Sequence, residues 1–145
     1  NFVYTMLRLM ASRDSIGVVA DQWGTPTWAF DLCQVILCIV TAKQPVYGTV
    51  HVTNMGMTNW HQFAQEIYRQ GRDLGLLEKD VTINALTSAQ YPTKAARPAW
   101  SVLDKSKIVA EYGVAIPEWQ ASLRRFLVLV SQKKNEPNVT RLLNG

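Results

Sequence analysis

The chain has 145 residues, 48% of them hydrophobic and 18% charged, with five tryptophans. That length suits one compact domain and not two, and abundant aromatics with so little charge exclude an intrinsically disordered segment. The formal net charge of +4 is spread over pairs such as Arg8/Arg13, Arg69/Arg72 and Arg124/Arg125, with no block of like charge dense enough for a nucleic-acid arm, so a small anionic ligand suits the balance better.

In chain order, Phe2, Met6, Leu7 and Met10 recur at helical spacing, and the polar run from Ser12 to Ser15 ends that helix. A short strand from Gly17 to Ala20 is expected next. Between Trp28 and Thr41 the apolar residues Leu32, Val35, Ile36, Ile39 and Val40 fall nearly all round a helix, the pattern of a helix covered on most sides. Val46 to Thr53 alternates and is β-branched, which predicts a strand ending at Asn54. Thr58 sits where an N-cap hydroxyl belongs, ahead of Trp60, Phe63, Ala64 and Ile67 on one helical face, and Gly71 and Gly75 close that helix. Val81 to Ala85 reads as a strand, and Ser88 to Ala99, with two prolines, as a loop. Asp104 can cap a short helix through Tyr112 that stops at Gly113. Pro117 suits the first turn of a last helix with Trp119, Leu123, Phe126, Leu127 and Val130 as its buried stripe. The domain is therefore expected over 1–133, with a polar tail over 134–145.

The element order is a mixed α/β pattern with few, short strands for its helices. The excess of apolar helix surface predicts packing against a larger sheet that these residues do not contain. Cys33 and Cys38 stand five apart on different helix faces, about 140° from each other, and read as two buried free thiols. With no Cys-x-x-Cys, no Cys/His cluster and no secretory segment, a reducing, cytoplasmic compartment is expected. The longest apolar run, around Val35 to Val40, is far short of the ~20 residues a membrane span needs. Asn138-Val-Thr140 has glycosylation spacing, but a polar tail is the simpler reading.

Several catalytic signatures are missing. No two glycines are separated by a single residue, so the Gly-x-Gly-x-x-Gly turn of a dinucleotide fold is absent. The residue four on from each of Tyr4, Tyr47, Tyr68, Tyr91 and Tyr112 is never Lys, which excludes the Tyr-x-x-x-Lys pair in which an ammonium lowers a phenol pKa. There is no nucleophile elbow, phosphate loop or metal-binding His pair. Asp21 and Asp31 could form an acid/base pair, but a turn former and a first-turn helix carboxylate are the expected roles. His51 and His61 have no visible partner and are assigned to packing or surface. Arg97 differs from the other cations because it lies in a proline-bounded loop, where a guanidinium can grip a phosphate through two parallel hydrogen bonds; an ordinary surface arginine is the alternative.

A set of spaced motifs then points to a family. Asn1-Phe2 opens the chain; Asp21, Gln22, Gly24, Pro26 and Thr27 form a turn that leads to Asp31-Leu32; Gly48 and His51, Gly56, Thr58, Trp60 and Phe63-Ala64 follow. Arg97, Pro98, Ser101 and Leu103, with Lys107 beyond, precede a closing Pro117, Trp119 and Leu123. In this combination the chain resembles the C-terminal, substrate-binding part of the dTDP-4-dehydrorhamnose reductases, which are extended short-chain dehydrogenases/reductases. The similarity runs from Asn1 to about Leu127. Trp100 departs from it, standing where the family commonly carries a small polar residue.

The resemblance implies an α/β fold, the C-terminal part of an extended Rossmann-type reductase without its main cofactor sheet. It implies a full-length enzyme, NADPH-dependent, that passes hydride to the C4 ketone of dTDP-4-dehydro-L-rhamnose while a family tyrosine absent here supplies the proton. This chain would hold the dTDP-sugar, with Asn1 and Arg97 towards the diphosphate, Gln22, Thr25 and Thr27 lining the pocket, and Trp28 at its edge. NADPH, or NADH, would sit on a missing N-terminal cofactor domain and none on this chain, which would carry no catalytic residue and no metal; the excess apolar helix surface adds the expectation of a homo-oligomer. A non-catalytic regulatory or binding subunit of reductase-like fold is the competing expectation.

Overall fold

A computed structural model describes residues 1–133 and Glu136; the tail over 134–145, with Asn138 to Thr140, otherwise lies outside the described residues. Helix α1 (Phe2–Ser12) starts where the Asn1 carboxamide oxygen accepts from the Tyr4 amide at 3.1 Å, and it buries Met6, Leu7 and Met10. Strand β1 (Ser15–Val19) pairs in parallel with β4 (Thr82–Leu86), from Ser15 opposite Thr82 to Val19 opposite Leu86. Gly17 permits that approach, since a Cβ there would stand 2.6 Å from a Leu86 methyl carbon.

Helix α3 (Trp60–Asp73) buries Phe63, Ala64, Ile67, Gln70 and Gly71, a single stripe at helical period. It packs on the two-stranded sheet, on α1 and on α5 (Trp119–Gln132). The resulting core joins Met6, Leu7, Met10, Ile16, Val18, Phe63, Ile67, Leu123, Leu127 and Val130. Aromatic contacts close its upper end: Phe2 stacks on Phe63 at 5.4 Å, and Phe63 meets Trp119 edge-on at 5.5 Å, both within the range where such pairs attract. Two-residue strands β2 (Trp23–Gly24) and β3 (Thr58–Asn59), helix α2 (Ala29–Val40) and the short α4 (Ser106–Tyr112) complete the elements, apart from a 3-10 turn over Ser88–Gln90. Gly113 ends α4 in the left-handed region at φ 59°, as the sequence predicts.

Several expectations need correction. The segment from Val46 to Thr53 forms no strand among the described residues, because no neighbour offers it a ladder. It is held instead by side chains: Tyr112 Oη accepts from the Val46 amide and donates to the Val46 carbonyl, and Lys107 Nζ donates to the Thr49 carbonyl. Thr58 is not the cap of α3. Its neighbour Asn59 is, accepting from the Gln62 amide at 2.8 Å, while Thr58 is paired in β3. Gly71 lies inside α3, where a Cβ would stand 3.1 Å from Leu77 and 3.4 Å from Leu7, so Gly75 at φ 65° makes the turn after the helix. Lys105 occupies the cap position of α4, and the Asp104 carboxylate reaches past it to the Ser106 amide and hydroxyl.

Cys33 is exposed and Cys38 half-buried; both are free thiols, but neither is buried as expected. The reason is the packing of α2. It buries only Asp31 and Val35, leaving Phe30 46%, Leu37 54% and Val40 69% exposed, so the apolar surface read as covered on most sides is open among the described residues. His51 is exposed, and His61 ties α3 to β4 through a ring nitrogen 3.0 Å from the Ile83 carbonyl. No described helix is long and apolar enough to cross a membrane.

Candidate functional site: a cleft over the Gln22–Thr27 turn

The turn after β1 is fixed at both ends. At its start the Asp21 carboxylate accepts from the Ser88 amide at 2.8 Å and the Ser88 hydroxyl at 2.7 Å, and Gln22 Nε2 donates to the same hydroxyl at 2.9 Å. These hydrogen bonds hold the Asp21 carboxyl below the ordinary aspartate range, the Ser88 hydroxyl contributing most. Strand β2 then runs between two neighbours. On one side Trp23 and Gly24 pair antiparallel with Asn59 and Thr58; on the other the Trp23 amide donates to the Ala99 carbonyl at 2.8 Å, and the Ser101 amide and hydroxyl both donate to the Trp23 carbonyl at 2.9 Å. Gly24 is required where the strands meet, since a Cβ would lie 2.8 Å from the Ser101 hydroxyl oxygen.

This backbone ladder carries the Arg97–Ser101 segment across β2 and opens a cleft of about 200 Å³ whose lining includes Gln22, Gly24, Thr25, Trp60, Arg97 and Ser101. Among the described residues Arg97 is the only ionisable side chain that lines it. The guanidinium is exposed and makes no hydrogen bond or ion pair with the described residues, so its donors are available. The N-terminus of α3 also faces the cleft through Asn59 and Trp60, adding the positive end of a helix dipole. The Ser101 hydroxyl is spent on Trp23, and among the described residues no acid or thiol lines the cleft. Chemically this is a surface for an uncharged or anionic ligand with a ring or sugar face against Trp60.

The structure brings Gln22, Thr25 and Arg97 together here. Asn1, Thr27 and Trp28 line an adjoining apolar groove of about 490 Å³, which shares Pro26, Trp60 and Phe63 with the cleft. Asn1 spends its carboxamide oxygen on capping α1, and Thr25 donates its hydroxyl to the Gly56 carbonyl at 2.9 Å. Trp28 stacks on Phe30 at 4.9 Å with the Arg125 guanidinium over its ring at 5.0 Å. Gln22 and Arg97 also border a third groove of about 300 Å³ above Phe2, Met6 and Val18.

Asp31 and Asp21 are not an acid/base pair. Asp31 is buried at 7% exposure, takes hydrogen bonds from Asn54 Nδ2 at 2.8 Å and from the Ser122 hydroxyl, and pairs with Arg125 at 3.1 Å. That is more than the first-turn carboxylate expected: it anchors α2 to α5. Sequence reasoning missed this network and gave Asn54 only as the end of a strand; an Asp in the most apolar described helix is the one local signal that could have found it. Among the described residues no cluster of three or more His, Cys, Asp or Glu is placed to hold a metal ion.

The sequence and the fold are similar to those of known proteins. A dTDP-4-dehydrorhamnose reductase from Aggregatibacter actinomycetemcomitans is 41% identical over 128 residues, covering 86% of this chain and 44% of that protein. A solved dTDP-4-dehydrorhamnose reductase from Clostridium acetobutylicum is 38% identical with a TM-score of 0.80, over 90% of this chain and 44% of that one. Another, from Bacillus anthracis str. Ames in complex with NADP, is 32% identical with a TM-score of 0.80, over 89% and 43%. The chain thus spans less than half the length of the relatives it matches. The RmlD substrate binding domain family matches residues 1–131, nearly all of the described fold with its cleft, and the chain belongs to that family.

Proposed function

We propose that this chain is the nucleotide-sugar-binding part of an NADPH-dependent dTDP-4-dehydro-L-rhamnose reductase of dTDP-rhamnose biosynthesis. The observation that carries this reading is the cleft itself: one unpaired guanidinium, Arg97, held on a β-ladder beside the Gln22–Thr25 turn and an aromatic wall. Arg97 grips the diphosphate, for which a planar fork is suited. Gln22 hydrogen-bonds the sugar or its phosphates, Thr25, whose hydroxyl proton is given to Gly56, accepts from a sugar hydroxyl, Asn1 and Thr27 approach from the adjoining groove, and Trp28 closes its edge.

The residues present do not fit the nicotinamide cofactor. A dinucleotide needs a glycine-rich strand-to-helix turn whose amides are free; here β3 runs straight into α3, and the Asn59 side chain already occupies the Gln62 amide. On this reading the cofactor and the sheet that would carry it lie outside these residues. The chain alone is then catalytically incompetent, and its exposed α2 face is where that part or a second copy packs. Calorimetry tests the reading: the chain should bind dTDP saturably, thymidine much more weakly, and NADPH not at all. Failure to bind dTDP at about 1 mM, where binding would be worth only some 4 kcal/mol, overturns it.

A further inference from the structure

The residues after the irregular 46–53 segment do more than link it to α3. Asn54 is 1% exposed and lies against three elements at once. Its Oδ1 accepts from the Trp28 amide at 2.9 Å, at the head of α2. Its Nδ2 faces Asp31 Oδ2 at 2.8 Å, Ser122 Oγ at 3.0 Å and the Pro117 carbonyl at 3.2 Å. The Trp28 N–H can only donate, so it fixes which end of the carboxamide faces the turn. The next two residues continue the contact. Met55 pairs with the approach to α5, its amide donating to Pro117 and its carbonyl accepting from Trp119; the Gly56 carbonyl accepts from the Thr25 hydroxyl at 2.9 Å. Gly56 stands at φ 80°, and a Cβ would come within 2.7 Å of Glu118 Oε2 and 3.1 Å of the Trp119 ring, so only glycine lets the segment sit on α5 in this way.

Residues 54–56 therefore seize the ligand-facing turn at Thr25 and at Trp28 and seat it on α5. We propose that Asn54 is the positioning residue of the cleft, setting the alignment of the Thr25–Trp28 turn, and through it ligand affinity, by holding the Trp28 amide while anchored to Asp31, Ser122 and Pro117. The ligand in this statement is the dTDP group and rests on the function proposed above. Asn54 touches no ligand in this scheme; it acts through the turn.

The test uses this chain, with dTDP as the probe, at a temperature well below unfolding. Asn54→Ala should raise the dTDP dissociation constant about tenfold and speed hydrogen exchange of the Trp28 amide by about tenfold or more relative to that of the Ile67 amide, because the amide loses its buried acceptor. Ile67→Val, a core change remote from the cleft, should alter neither. The exchanged pair Asp31→Asn with Asn54→Asp keeps an acceptor for Trp28 and a donor–acceptor contact between the two positions, though not the donor to the Pro117 carbonyl, and should recover part of the affinity and protection that Asn54→Asp alone, which sets two carboxylates together, loses. Wild-type affinity and protection in Asn54→Ala overturn the proposal, as does an equal loss of affinity in Ile67→Val. If Asn54→Ala does not fold, the single Asn54→Asp and the exchanged pair decide. Should the wild-type chain bind no dTDP, the proposed function falls, while the positioning role is still judged on Trp28 exchange.

Discussion

Replacing Asp31 by Ala should destabilise the fold far more than any exposed ion pair would suggest. In the folded chain its Oδ2 takes two buried hydrogen bonds, from Asn54 and Ser122, and its Oδ1 takes one from Arg125, a side chain 51% exposed. Hydrogen bonds to a charged group are each worth about 1.5–3 kcal/mol, so the two buried ones amount to roughly 3–6 kcal/mol gross. The half-exposed Arg125 contact adds less than about 1 kcal/mol. Removing the carboxylate also lifts the cost of burying it, and Asn54 keeps the Pro117 carbonyl. The Ser122 hydroxyl loses its acceptor. The net expectation is a loss of about 2–4 kcal/mol for Asp31→Ala, close to what breaking buried pairs costs. Asp31→Asn keeps one acceptor towards Asn54 and Ser122 and should lose about half as much, and Arg125→Ala less than about 1 kcal/mol. Urea unfolding followed by tryptophan fluorescence measures all three. If Asp31→Ala costs under about 0.5 kcal/mol, the range of an ordinary surface substitution, or if Arg125→Ala costs as much as Asp31→Ala, the anchoring of α2 on α5 is misjudged.

Arg97→Ala should weaken dTDP binding by about 1.5–3 kcal/mol, some ten- to a hundredfold, and leave thymidine nearly unchanged; equal losses for both ligands in calorimetry would remove its diphosphate role. Arg124→Ala, on a 44% exposed side chain of α5, is the control and should shift either affinity by less than about 0.5 kcal/mol. The chain at micromolar concentration should sediment as dimers or larger species, because Phe30, Ile36, Leu37 and Val40 expose a continuous apolar helix face; a clean monomer that binds no hydrophobic dye contradicts this. Asp21 should titrate below the ordinary aspartate value, since the Ser88 hydroxyl and amide favour its charged form. A folded pKa lowered in this way contributes stability that is present above about pH 4 and is lost as pH falls through the depressed value. Carboxyl NMR across the acid range checks it, with Ser88→Ala expected to move the midpoint upward and no movement counting against the assignment.

Where local rules act alone, the sequence determined the outcome. The stripes of α1, α3 and α5, the stop at Gly113 and the β-propensity on either side of Ser15–Val19 and Thr82–Leu86 were legible, because helical period and left-handed glycine are properties of a few adjacent residues. The spaced motifs around Asp21, Thr58 and Arg97 likewise carried the family, since side-chain identities at fixed spacing survive without any knowledge of packing. What needed the tertiary structure involved residues remote in sequence. The strand predicted over Val46 to Thr53 failed because a strand exists only where a partner offers a ladder. The exposure of α2 and of Cys33 followed from which neighbours are present, something no periodicity encodes. Trp23 meeting Asn59 on one side and Trp100 on the other, which builds the cleft, and Asn54 joining Trp28, Asp31 and Ser122 across separations of 26, 23 and 68 positions, are decided by chain topology. A lone buried asparagine after a β-branched run looks like any turn residue until its partners arrive from other elements.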